Sequence, residues 1–533
     1  DYIEPRRNKA SNLSKLRQMA FIDIDRTVYE IMDQTLRYLK AKKVPIDSLR
    51  AEPYNRPYTA KKGEGMEKTE KLTLRECLIG DRAFYRHVLV VVLPIIVQNT
   101  LTNVVSLLDN VMVGQVGTLP MSGVAVVGQL LFVYNLAVWG STAGAGIFGA
   151  QFYGRGDMEG VRHTFRFKLL VALAITAAAI GLFLAAGPSL IGAYIAADTS
   201  PADAAATLQY AEGYLRIMLI GLVPFGLTQC YAGTLRESGQ TVLPMKASML
   251  AMVVNFIFNA LLIFGIGPFP RMGVAGAAIA TVLSRFVELA IVVVGAHRSS
   301  DRYPFLRGIY SSFAIPGALV RDILIRSTPL LANELMWGAG QAVLLQCYSV
   351  RGIQAVAALN ICNTIAQIFN EVFLSLGNAT AIVVGQELGA DRLTGARRTA
   401  WRMITLSLTS CVIMGTLLAL CSPYIPRIYN TEESIRLLAT ELICMAALCM
   451  PLYGFSNCAY FTLRSGGKTF ITFLFDSCFT WAVSVPLAYG LSRFTGLNIV
   501  AIYLLVNGMD IVKCAIGFVL VKRGIWVKNI VKE

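Results

Sequence analysis

Long apolar stretches recur along the chain from about residue 87 onward. Each runs for about 20 residues or more, which is enough for an α-helix to cross the roughly 30 Å hydrocarbon core of a bilayer. The pattern predicts an all-α polytopic membrane protein. Its twelve predicted membrane-spanning helices lie at 87–112, 121–148, 165–187, 209–234, 242–266, 273–296, 319–347, 355–384, 398–421, 436–462, 468–490 and 497–522.

The twelve predicted helices divide into two related halves. A shift of 235 residues places Gln151 on Gln386 and Gly154 on Gly389, with no gap needed between them. At an offset of 228, the segment TLRESGQT after the fourth helix matches TLRSGGKT after the tenth. Because six helices return the chain to the side on which it started, we predict two six-helix bundles related by a pseudo-two-fold axis along the membrane normal.

Residues 1–80 differ from the rest of the chain. They are charged, they contain apolar positions at helical spacing, and they lack the apolar run of about 7–15 residues that marks a signal peptide. A Pro-, Gly- and Lys-rich linker follows the charged part. We predict a cytoplasmic N-terminal extension with an amphipathic helix and a linker at 1–80, an N-lobe at 81–300 and a C-lobe at 301–533.

Composition supports the membrane class. The 533-residue chain is 55% hydrophobic and only 15% charged, and its mean hydropathy is +0.56. The net charge of +15 comes from basic residues in alternate loops and in the N-terminal part. This follows the positive-inside rule and does not form a nucleic-acid-binding face. We expect a monomer in the plasma membrane (inner membrane), with both termini cytoplasmic and no nucleic-acid partner.

Several kinds of chemistry have no signature in the sequence. The eleven cysteines form no CxxC pair, and the three histidines are far apart, so we predict neither a disulfide framework nor a metal site beyond a bound Na+. No phosphate-binding loop and no paired nucleophile and base are present. We therefore expect no enzyme activity and no cofactor. Two-fold repeats of this kind are typical of secondary transporters, whose site lies between the halves.

Six stretches resemble, in order, landmarks of the multidrug and toxic compound extrusion (MATE) family: LLDNVMVGQVG, GAQFYGRGDMEGVR, LRESGQTVLPM, NELMW, GQELGADR and LRSGGKT. The resemblance covers about residues 85–533. It implies a cation-coupled exporter driven by Na+ or H+, with twelve helices in two bundles around a central cavity. Its partners would be the lipid bilayer and varied organic small molecules, often cationic.

A carboxylate inside the first apolar stretch is the main candidate for ion handling. Burying Asp109 there costs roughly 2.5–3.5 kcal/mol, so such a residue usually faces a protein interior or a water-filled cavity. The resemblance implies a cation site of Asp109, Asn255, Asn259 and Thr281. The two asparagines are four residues apart on one helical face. Their hard oxygen ligands suit Na+, whereas Asp109 alone could instead carry a proton. Simple helix–helix hydrogen bonding is the alternative for the asparagine pair.

The predicted substrate cavity contains Glu334, Asn99, Gln129 and Trp337. Glu334 and Asn99 are repeat equivalents, and Glu334 follows a mid-helix proline that frees a backbone carbonyl. Some relatives carry a glutamate where this chain has Trp337, and the acidic partner that some carry in the tenth helix is also absent here. A complete C-lobe cation site is therefore not expected, and Glu334 is assigned instead to attracting a cationic substrate. In the N-lobe, some relatives carry an aspartate where this chain has Asn259, which leaves the coupling ion undecided.

Other charges in the apolar stretches have simpler interpretations. Arg285 with Glu288, and Asp510 with Lys513, are spaced i, i+3, so each pair is predicted to neutralise itself along one helix turn. Two further acids have no such local partner. These are Asp476 and Glu371, and either could line the cavity.

The sequence favours a cation-coupled antiporter that exports organic compounds from the cytoplasm. Two alternatives remain at this point. A flippase for lipid-linked precursors would share the architecture, but it should have a strongly cationic cavity, whereas the charges here are mainly acidic. A non-transporting membrane receptor or scaffold would use the N-terminal extension as its signalling part.

Overall fold

The computed structural model describes residues 78–195, 200–429 and 431–532, so almost all of the predicted N-terminal extension lies outside the described residues. Within them the chain forms twelve long helical segments, two short 3₁₀ helices (Pro304–Leu306 and Ile425–Ile428) and no β-strand. The twelve long segments are α1 (Arg82–Gly114), α2 (Thr118–Arg155), α3 (Met158–Gly192), α4 (Pro201–Ile220 and Leu222–Glu237), α5 (Val242–Phe264), α6 (Val274–Arg298), α7 (Gly317–Ser349), α8 (Ile353–Gly389), α9 (Leu393–Cys421), α10 (Glu433–Ser465), α11 (Thr469–Phe494) and α12 (Ile499–Arg523).

Each predicted membrane span falls on one of these helices. Ten of them are long and apolar enough to cross a membrane, and the two parts of α4 add an eleventh when taken as one span. Helix α7 falls outside that set, although it is 33 residues long. It carries several charged residues, which are Arg321, Asp322, Arg326 and Glu334. The prediction of an all-α polytopic protein with twelve membrane helices is confirmed.

Turns at equivalent places begin the second helix of each half. Gly117 precedes α2 with φ of 148°, and Gly352 precedes α8 with φ of 104°. Both values lie in the positive-φ region that favours glycine. The next turn is closed by Asp157, whose carboxylate accepts a hydrogen bond from the Gly160 N–H at 2.9 Å and caps α3. The repeat seen in the sequence is therefore also a repeat of turn conformation.

Several helices are irregular. The two parts of α4 meet at Gly221 with a bend of 45°. Helix α11 contains two π-helical turns, Leu474–Cys478 and Thr480–Ser484. Prolines lie inside α1 and α7 at equivalent positions, Pro94 and Pro329. A proline removes one backbone hydrogen bond, and single π-turns are frequent at functional sites.

The helices pack as an N-lobe, α1–α6, and a C-lobe, α7–α12, which meet through α1, α2, α7 and α8. The two-bundle prediction is confirmed in this form. The connector between α6 and α7 packs back on α3, where Phe305 is buried and its carbonyl accepts a hydrogen bond from Arg162 Nε at 3.1 Å. The exact domain boundary at residue 300 stays a prediction.

The lobes contact each other reciprocally at the ends of α2 and α8. A Cβ on Gly154 would lie 2.1 Å from the Gln386 carbonyl oxygen, and a Cβ on Gly389 would lie 1.9 Å from the Gln151 carbonyl oxygen. Both positions therefore require glycine for the close backbone approach. Since Gly154 and Gln151 are the repeat equivalents of Gly389 and Gln386, the contact is symmetric about the pseudo-two-fold axis.

The glutamine side chains of this contact are used in the same reciprocal way. Gln151 Nε2 donates to the Ser465 carbonyl at 2.9 Å, and Gln386 Nε2 donates to the Glu237 carbonyl at 2.7 Å. Each glutamine thus bonds the end of a helix in the other lobe. We call this end of the bundle, where the C-terminus also lies, the C-terminal end. The two lobes are joined there.

Residues 524–532, here called the C-terminal strap, lie across that joint. The Ile530 N–H donates to Gln151 Oε1 at 2.9 Å, and the Arg155 guanidinium donates to the Val531 carbonyl. Val531 is buried against Phe148 and Phe167 of the N-lobe. The strap follows the last C-lobe helix but bonds N-lobe side chains, so it links the lobes.

Candidate functional site

The four residues of the predicted cation site form one continuous hydrogen-bond chain. Asn259 Nδ2 donates to Asp109 Oδ1 at 2.5 Å and to Asn255 Oδ1 at 3.1 Å. Asn255 Nδ2 in turn donates to Thr281 Oγ1 at 3.3 Å. Three helices, α1, α5 and α6, therefore bring together the residues that the sequence singled out.

Close packing of α5 on α6 explains why this chain can form. Asn255 and Asn259 lie one turn apart on α5 and both are buried. Gly276 lets α6 approach, because a Cβ there would lie 2.7 Å from the Leu262 carbonyl. Glycine at such a contact is a common way to bring two membrane helices together. All four site residues lie toward the end of the bundle opposite the C-terminal end, as their positions along α1, α5 and α6 show.

The site has more oxygen acceptors than donors. Asn259 Nδ2 uses its two hydrogens on Asp109 and Asn255, while Asn259 Oδ1 is buried without a hydrogen-bond partner. Within the described residues, Asp109 has no lysine, arginine or histidine nitrogen within 4.0 Å. A carboxylate, amide oxygens and a hydroxyl form a donor set for a hard cation such as Na+, and the same carboxylate can accept a proton.

Two of the predicted cavity residues lie at the boundary between the lobes. Asn99 Nδ2 donates across it to Ser375 Oγ on α8 at 3.5 Å. Glu334 lies against Gly140 of α2, where a Cβ would be 3.2 Å from Glu334 Cγ. Asn99 and Glu334 are repeat equivalents, and so are Gly140 and Ser375. The Asn99–Ser375 and Glu334–Gly140 contacts are therefore the same contact, present once in each half. Both residues face the opposite lobe, as a shared cavity between the halves requires.

The other two predicted cavity residues do not join this contact. Gln129 is exposed on α2 and Trp337 is exposed on α7, and neither has a hydrogen bond in the part of the chain described. Their assignment to the cavity stays a prediction.

Arg285 and Glu288 form no direct ion pair in the described part of the chain, although each charge still acts on the other. Arg285 reaches from α6 to α4, where it donates to the Gly221 carbonyl at 3.1 Å and lies over the Phe225 ring. Glu288 accepts a hydrogen bond from Ser248 Oγ at 2.5 Å. The Gly221 carbonyl at the break in α4, which also accepts the Phe225 N–H at 3.3 Å, binds the guanidinium. The spacing along α6 gave no sign of this contact.

The predicted Asp510–Lys513 ion pair is also replaced by a bond between helices. Lys513 Nζ lies 2.6 Å from Asp476 Oδ1 on α11. Asp476 Oδ2 accepts a second hydrogen bond from Asn333 Nδ2 at 3.1 Å. Sequence reasoning missed Asn333. The repeat offered a signal, because Asn333 is equivalent to Gln98 and Asp476 to Ser248, and these two are also hydrogen-bonded, at 2.7 Å.

Glu371, the other acid without a predicted partner, is bonded across the lobe boundary. Its carboxylate accepts from Asn103 Nδ2 on α1 at 2.9 Å. Together with the Asn99–Ser375 bond, this makes α1 and α8 a polar contact on one side of the axis. Glu371 is thus a boundary residue that a helix-by-helix analysis could not pair.

The family model described as MatE matches residues 94–261 and 330–490, which together make up more than half of the chain. The two matched segments are the two repeats. The chain belongs to the MATE family.

Curated relatives of this MATE chain are similar over most of its length. It is 23% identical over 426 residues to "Probable multidrug resistance protein YoeA" from Bacillus subtilis (strain 168), covering 79% of this chain and 89% of that protein. It is 22% identical over 442 residues to "Probable multidrug resistance protein NorM" from Thermotoga maritima, covering 82% and 92%. The relatives are thus named as multidrug resistance proteins.

Solved MATE structures share the fold. A mutant of the Vibrio cholerae MATE transporter VcmN superposes with a TM-score of 0.75 at 16% identity, covering 84% of this chain and 98% of that one. An outward-facing multidrug resistance MATE family transporter gives 0.73 at 18% identity, covering 85% and 98%. This MATE chain is therefore a multi-pass membrane protein of a transporter family.

Proposed function

We propose that this MATE-family protein is a secondary antiporter that exports organic, often cationic, compounds from the cytoplasm in exchange for Na+ or H+. One observation carries the proposal. The acid of α1, Asp109, ends a chain of oxygen-bearing side chains that crosses three helices and contains a buried acceptor without a partner. Membrane proteins do not usually retain such a carboxylate unless it handles an ion or a substrate.

Cation binding would change the contacts of Asp109 directly. A Na+ at this carboxylate would compete with the Asn259 amide hydrogen for Asp109 Oδ1, and the Asn259 amide could then turn its oxygen toward the ion. A proton on Asp109 would instead weaken the hydrogen bond that the Asp109 carboxylate accepts from Asn259. Either event alters the packing of α1 on α5. Because α1 also contacts α8 of the other lobe, the ion would bias how the lobes meet.

Alternating access would then use the joint at the C-terminal end. Rocking of one lobe against the other has to break the reciprocal glutamine bonds there and open a path on that side. Under the predicted topology this side is cytoplasmic, so opening it admits cargo. Glu334, which faces α2 at the boundary, would attract the positive charge of the cargo.

The test uses proteoliposomes that contain a fluorescent organic cation and carry either a Na+ gradient or a pH gradient alone. We expect one of the two gradients to drive dye movement in the wild type. Asp109→Asn should lower the gradient-driven rate about a hundredfold or more, because the neutral side chain holds neither ion. Asp203→Asn is the matched control, since Asp203 is exposed at the start of α4.

The outcomes separate the alternatives. Loss of gradient-driven transport in the Asp109 variant, with transport kept in the control, would support the antiporter. If the Asp109 variant and the Asp203 control showed equal gradient-driven transport rates, Asp109 would have no role in coupling. If neither gradient moves the dye through the wild type, the organic-cation cargo is wrong and lipid-linked precursors become the next substrates to test.

A further inference from the structure

An open groove runs along the first turns of α1, at the C-terminal end of the bundle, and the proposed ion and cargo routes do not use it. It encloses about 530 Å³. Two arginines line its beginning, and apolar side chains line most of the rest. These residues are chiefly Arg82, Arg86, Leu89, Val90, Leu93 and Val242. The groove therefore changes from charged to apolar along its length.

The groove occupies one face of α1, while another face of the same turns packs on the C-lobe. Leu89, Val90 and Leu93 keep 54%, 55% and 56% of their surface exposed. By contrast, Val88 and Val91 are buried in a cluster with side chains of α8 and α9. Since residues three, four and seven apart share a helical face, the two arginines and the exposed apolar side chains form a single strip.

The proline inside α1 explains why α5 forms the second wall of the groove. Pro94 has no N–H, so it cannot donate to the carbonyl of Val90, four residues earlier. The hydroxyl of Thr241 donates to that carbonyl instead, at 3.2 Å, and Thr241 is buried. This bond fixes the start of α5 beside α1 and places Val242 in the groove. The groove is thus built by specific contacts between the two helices.

The charge at the beginning of the groove is positive. Arg82 and Arg86 are exposed, and neither forms an ion pair within the described residues. The carboxylate of the adjacent Asp81 accepts a hydrogen bond from the Phe84 N–H at 3.0 Å and caps α1. The Arg402 guanidinium of α9 lies 5.5 Å from the centre of the Phe84 ring and adds another positive charge at this end of α1. No acidic residue lines the groove.

We propose that this groove binds one anionic phospholipid from the membrane leaflet at the C-terminal end, which is the cytoplasmic leaflet under the predicted topology. The guanidiniums of Arg82 and Arg86 hold the phosphate and its headgroup. One acyl chain lies along the exposed apolar strip beside Val242. Leu93 is roughly 10 Å further along the helix axis than Arg86. The order of charged and apolar residues along α1 is therefore the order of groups along a phospholipid.

The chemistry of the groove favours this ligand over its relatives. Arginine presents several N–H donors in a fork that matches phosphate oxygens. Basic residues at the membrane surface attract anionic lipids, and a zwitterionic lipid gains less from them because it also carries a positive charge. A soluble phosphate ester would contact the arginines but would leave the apolar strip uncovered.

The equivalent place in the C-lobe does not repeat these features. At the start of α7, Gly317 stands where α1 has Arg82, and Val320 stands where it has Tyr85. Arg321 is the equivalent of Arg86, but Asp322 follows it directly. The pair of arginines is thus specific to the N-lobe, and neither the repeat nor the packing of the helices requires it.

The experiment measures lipid binding to the full-length protein in detergent by native mass spectrometry, without cargo or an ion gradient. Phosphatidylglycerol and phosphatidylcholine with the same acyl chains are titrated separately. We expect the first phosphatidylglycerol to bind about tenfold more tightly than phosphatidylcholine, and Arg82→Gln with Arg86→Gln to abolish that preference. Leu93→Gln should weaken the binding of both lipids by about threefold, because it removes part of the apolar strip.

Lys522→Gln with Arg523→Gln is the matched control for the arginine variant. These two residues are exposed at the end of α12, so the control also removes two positive charges at the C-terminal end. We expect it to keep the preference of the wild type. A monodisperse size-exclusion profile establishes folding of every variant.

A photo-cross-linking residue identifies what occupies the groove in a membrane. The variant Leu89→p-benzoylphenylalanine, in vesicles of both lipids, should yield a phosphatidylglycerol adduct on irradiation. A cross-link to residues 1–77, which lie outside the described residues, would show that the chain's own extension covers the groove. A cross-linked dimer would show that a second copy covers it. Either result would overturn the proposal.

The binding results decide the proposal independently of transport. Equal affinity for the two lipids in the wild type would mean that the groove holds ordinary bulk lipid, which contradicts it. Loss of the preference in the control as well would assign it to overall charge, with the same consequence. Displacement of the lipid by an equal concentration of glycerol phosphate would make a soluble phosphate ester the ligand instead. A preference lost only in the arginine variant supports the proposal, even if no ion gradient drives export.

Discussion

Asn259 is the side chain through which Asp109 of α1 is connected to the rest of the candidate cation site. Its amide nitrogen bonds Asp109 and Asn255 together, and its oxygen is the acceptor without a partner. An amide can rotate to present either atom, so Asn259 can stabilise Asp109 in the absence of an ion and coordinate the ion when it binds. The resemblance implies that some relatives carry an aspartate at this position. Such an aspartate would repel Asp109 until a cation bound between them.

We expect Asn259→Ala to raise the Na+ or H+ concentration needed for half-maximal transport by about tenfold, which corresponds to about 1.4 kcal/mol. The reason is the loss of both a hydrogen bond to a carboxylate and a ligand oxygen. The rate measured as a function of ion concentration in proteoliposomes gives the shift. Asn507→Ala is the control, because among the described residues the Asn507 side chain on α12 bonds the Tyr503 carbonyl of its own helix and no other group. A half-maximal concentration equal to that of the control would remove Asn259 from the ion site.

Single residues also show where sequence reasoning succeeds and where it fails. Asp109 was predictable from its position inside an apolar stretch. The resemblance added Asn255, Asn259 and Thr281, and the four-residue spacing of the two asparagines independently places them on one helical face. The pairing of Lys513 was not predictable, because a helical charge bonds the nearest opposite group on any neighbouring helix. In an apolar surrounding, an interhelical partner at hydrogen-bond distance competes well with an i, i+3 partner of poorer geometry.

At the scale of elements, α2 and α7 approach each other through small residues. Gly140 and Gly144 are spaced as GxxxG on α2. A Cβ on Gly140 would lie 2.7 Å from Leu331 Cα, and one on Gly144 would lie 2.7 Å from Ser327 Cα. Because the obstructing atoms belong to the backbone, no side-chain rotation relieves the clash. The boundary between the lobes therefore depends on these glycines.

We expect Gly144→Ala to weaken this contact by about 1–3 kcal/mol, the usual cost of overpacking, and to lower the apparent melting temperature in detergent. Gly128→Ala is a matched control on the same helix, since a Cβ there has no other atom within 4 Å. That change should leave stability unchanged or raise it slightly, because alanine is the better helix former. Equal melting temperatures for the two variants would mean that α2 and α7 do not remain in contact at this point.

Helix irregularities mark the limit of prediction at this scale. The apolar pattern located a span at 209–234, but the structure begins α4 at Pro201 and bends it at Gly221. The π-turns of α11 were equally invisible to hydropathy. Both depend on contacts with other helices, Arg285 at the bend and Asn333 at the π-turn. Periodicity reports which residues are apolar, and it does not report which backbone groups a neighbour will bind.

For the whole molecule, the repeat and the apolar pattern together predicted twelve helices in two bundles, because both depend on local sequence. They did not predict which end of the bundles is joined. That depends on the strap and on contacts such as Gly154 with Gln386, whose residues are distant in sequence. Equivalent glycines and glutamines were visible in the alignment of the halves, but their mutual contact required the fold.

We expect truncation after Lys528 to raise the population of molecules that are open at the C-terminal end by about tenfold or more. The change keeps buried Trp526 but removes the hydrogen bonds to Gln151 and Arg155, each worth about 1 kcal/mol. Pulsed electron spin resonance between labels at Asp301 and Thr394, in a background with the native cysteines replaced, measures the distance between the lobes. A longer-distance population should appear or grow.

Lys532→Ala is the control for that measurement. It removes only an ion pair with Asp391 whose two side chains are 66% and 47% exposed, and such surface pairs contribute little. We expect its distance distribution to match the full-length chain. An unchanged distance distribution in the truncated chain would show that the strap contacts the joint without stabilising it.

The reciprocal bonds of Gln151 and Gln386 have the form of an isologous interface, in which the same patch occurs on both partners and each supplies what the other receives. Two identical six-helix subunits inserted in the same orientation would make this contact as a homodimer. The fused chain thus retains the geometry expected from duplication of a self-associating ancestor. Divergence after fusion then explains why Ser248 in one half stands where Asp476 stands in the other, since a covalent dimer can specialise its halves separately.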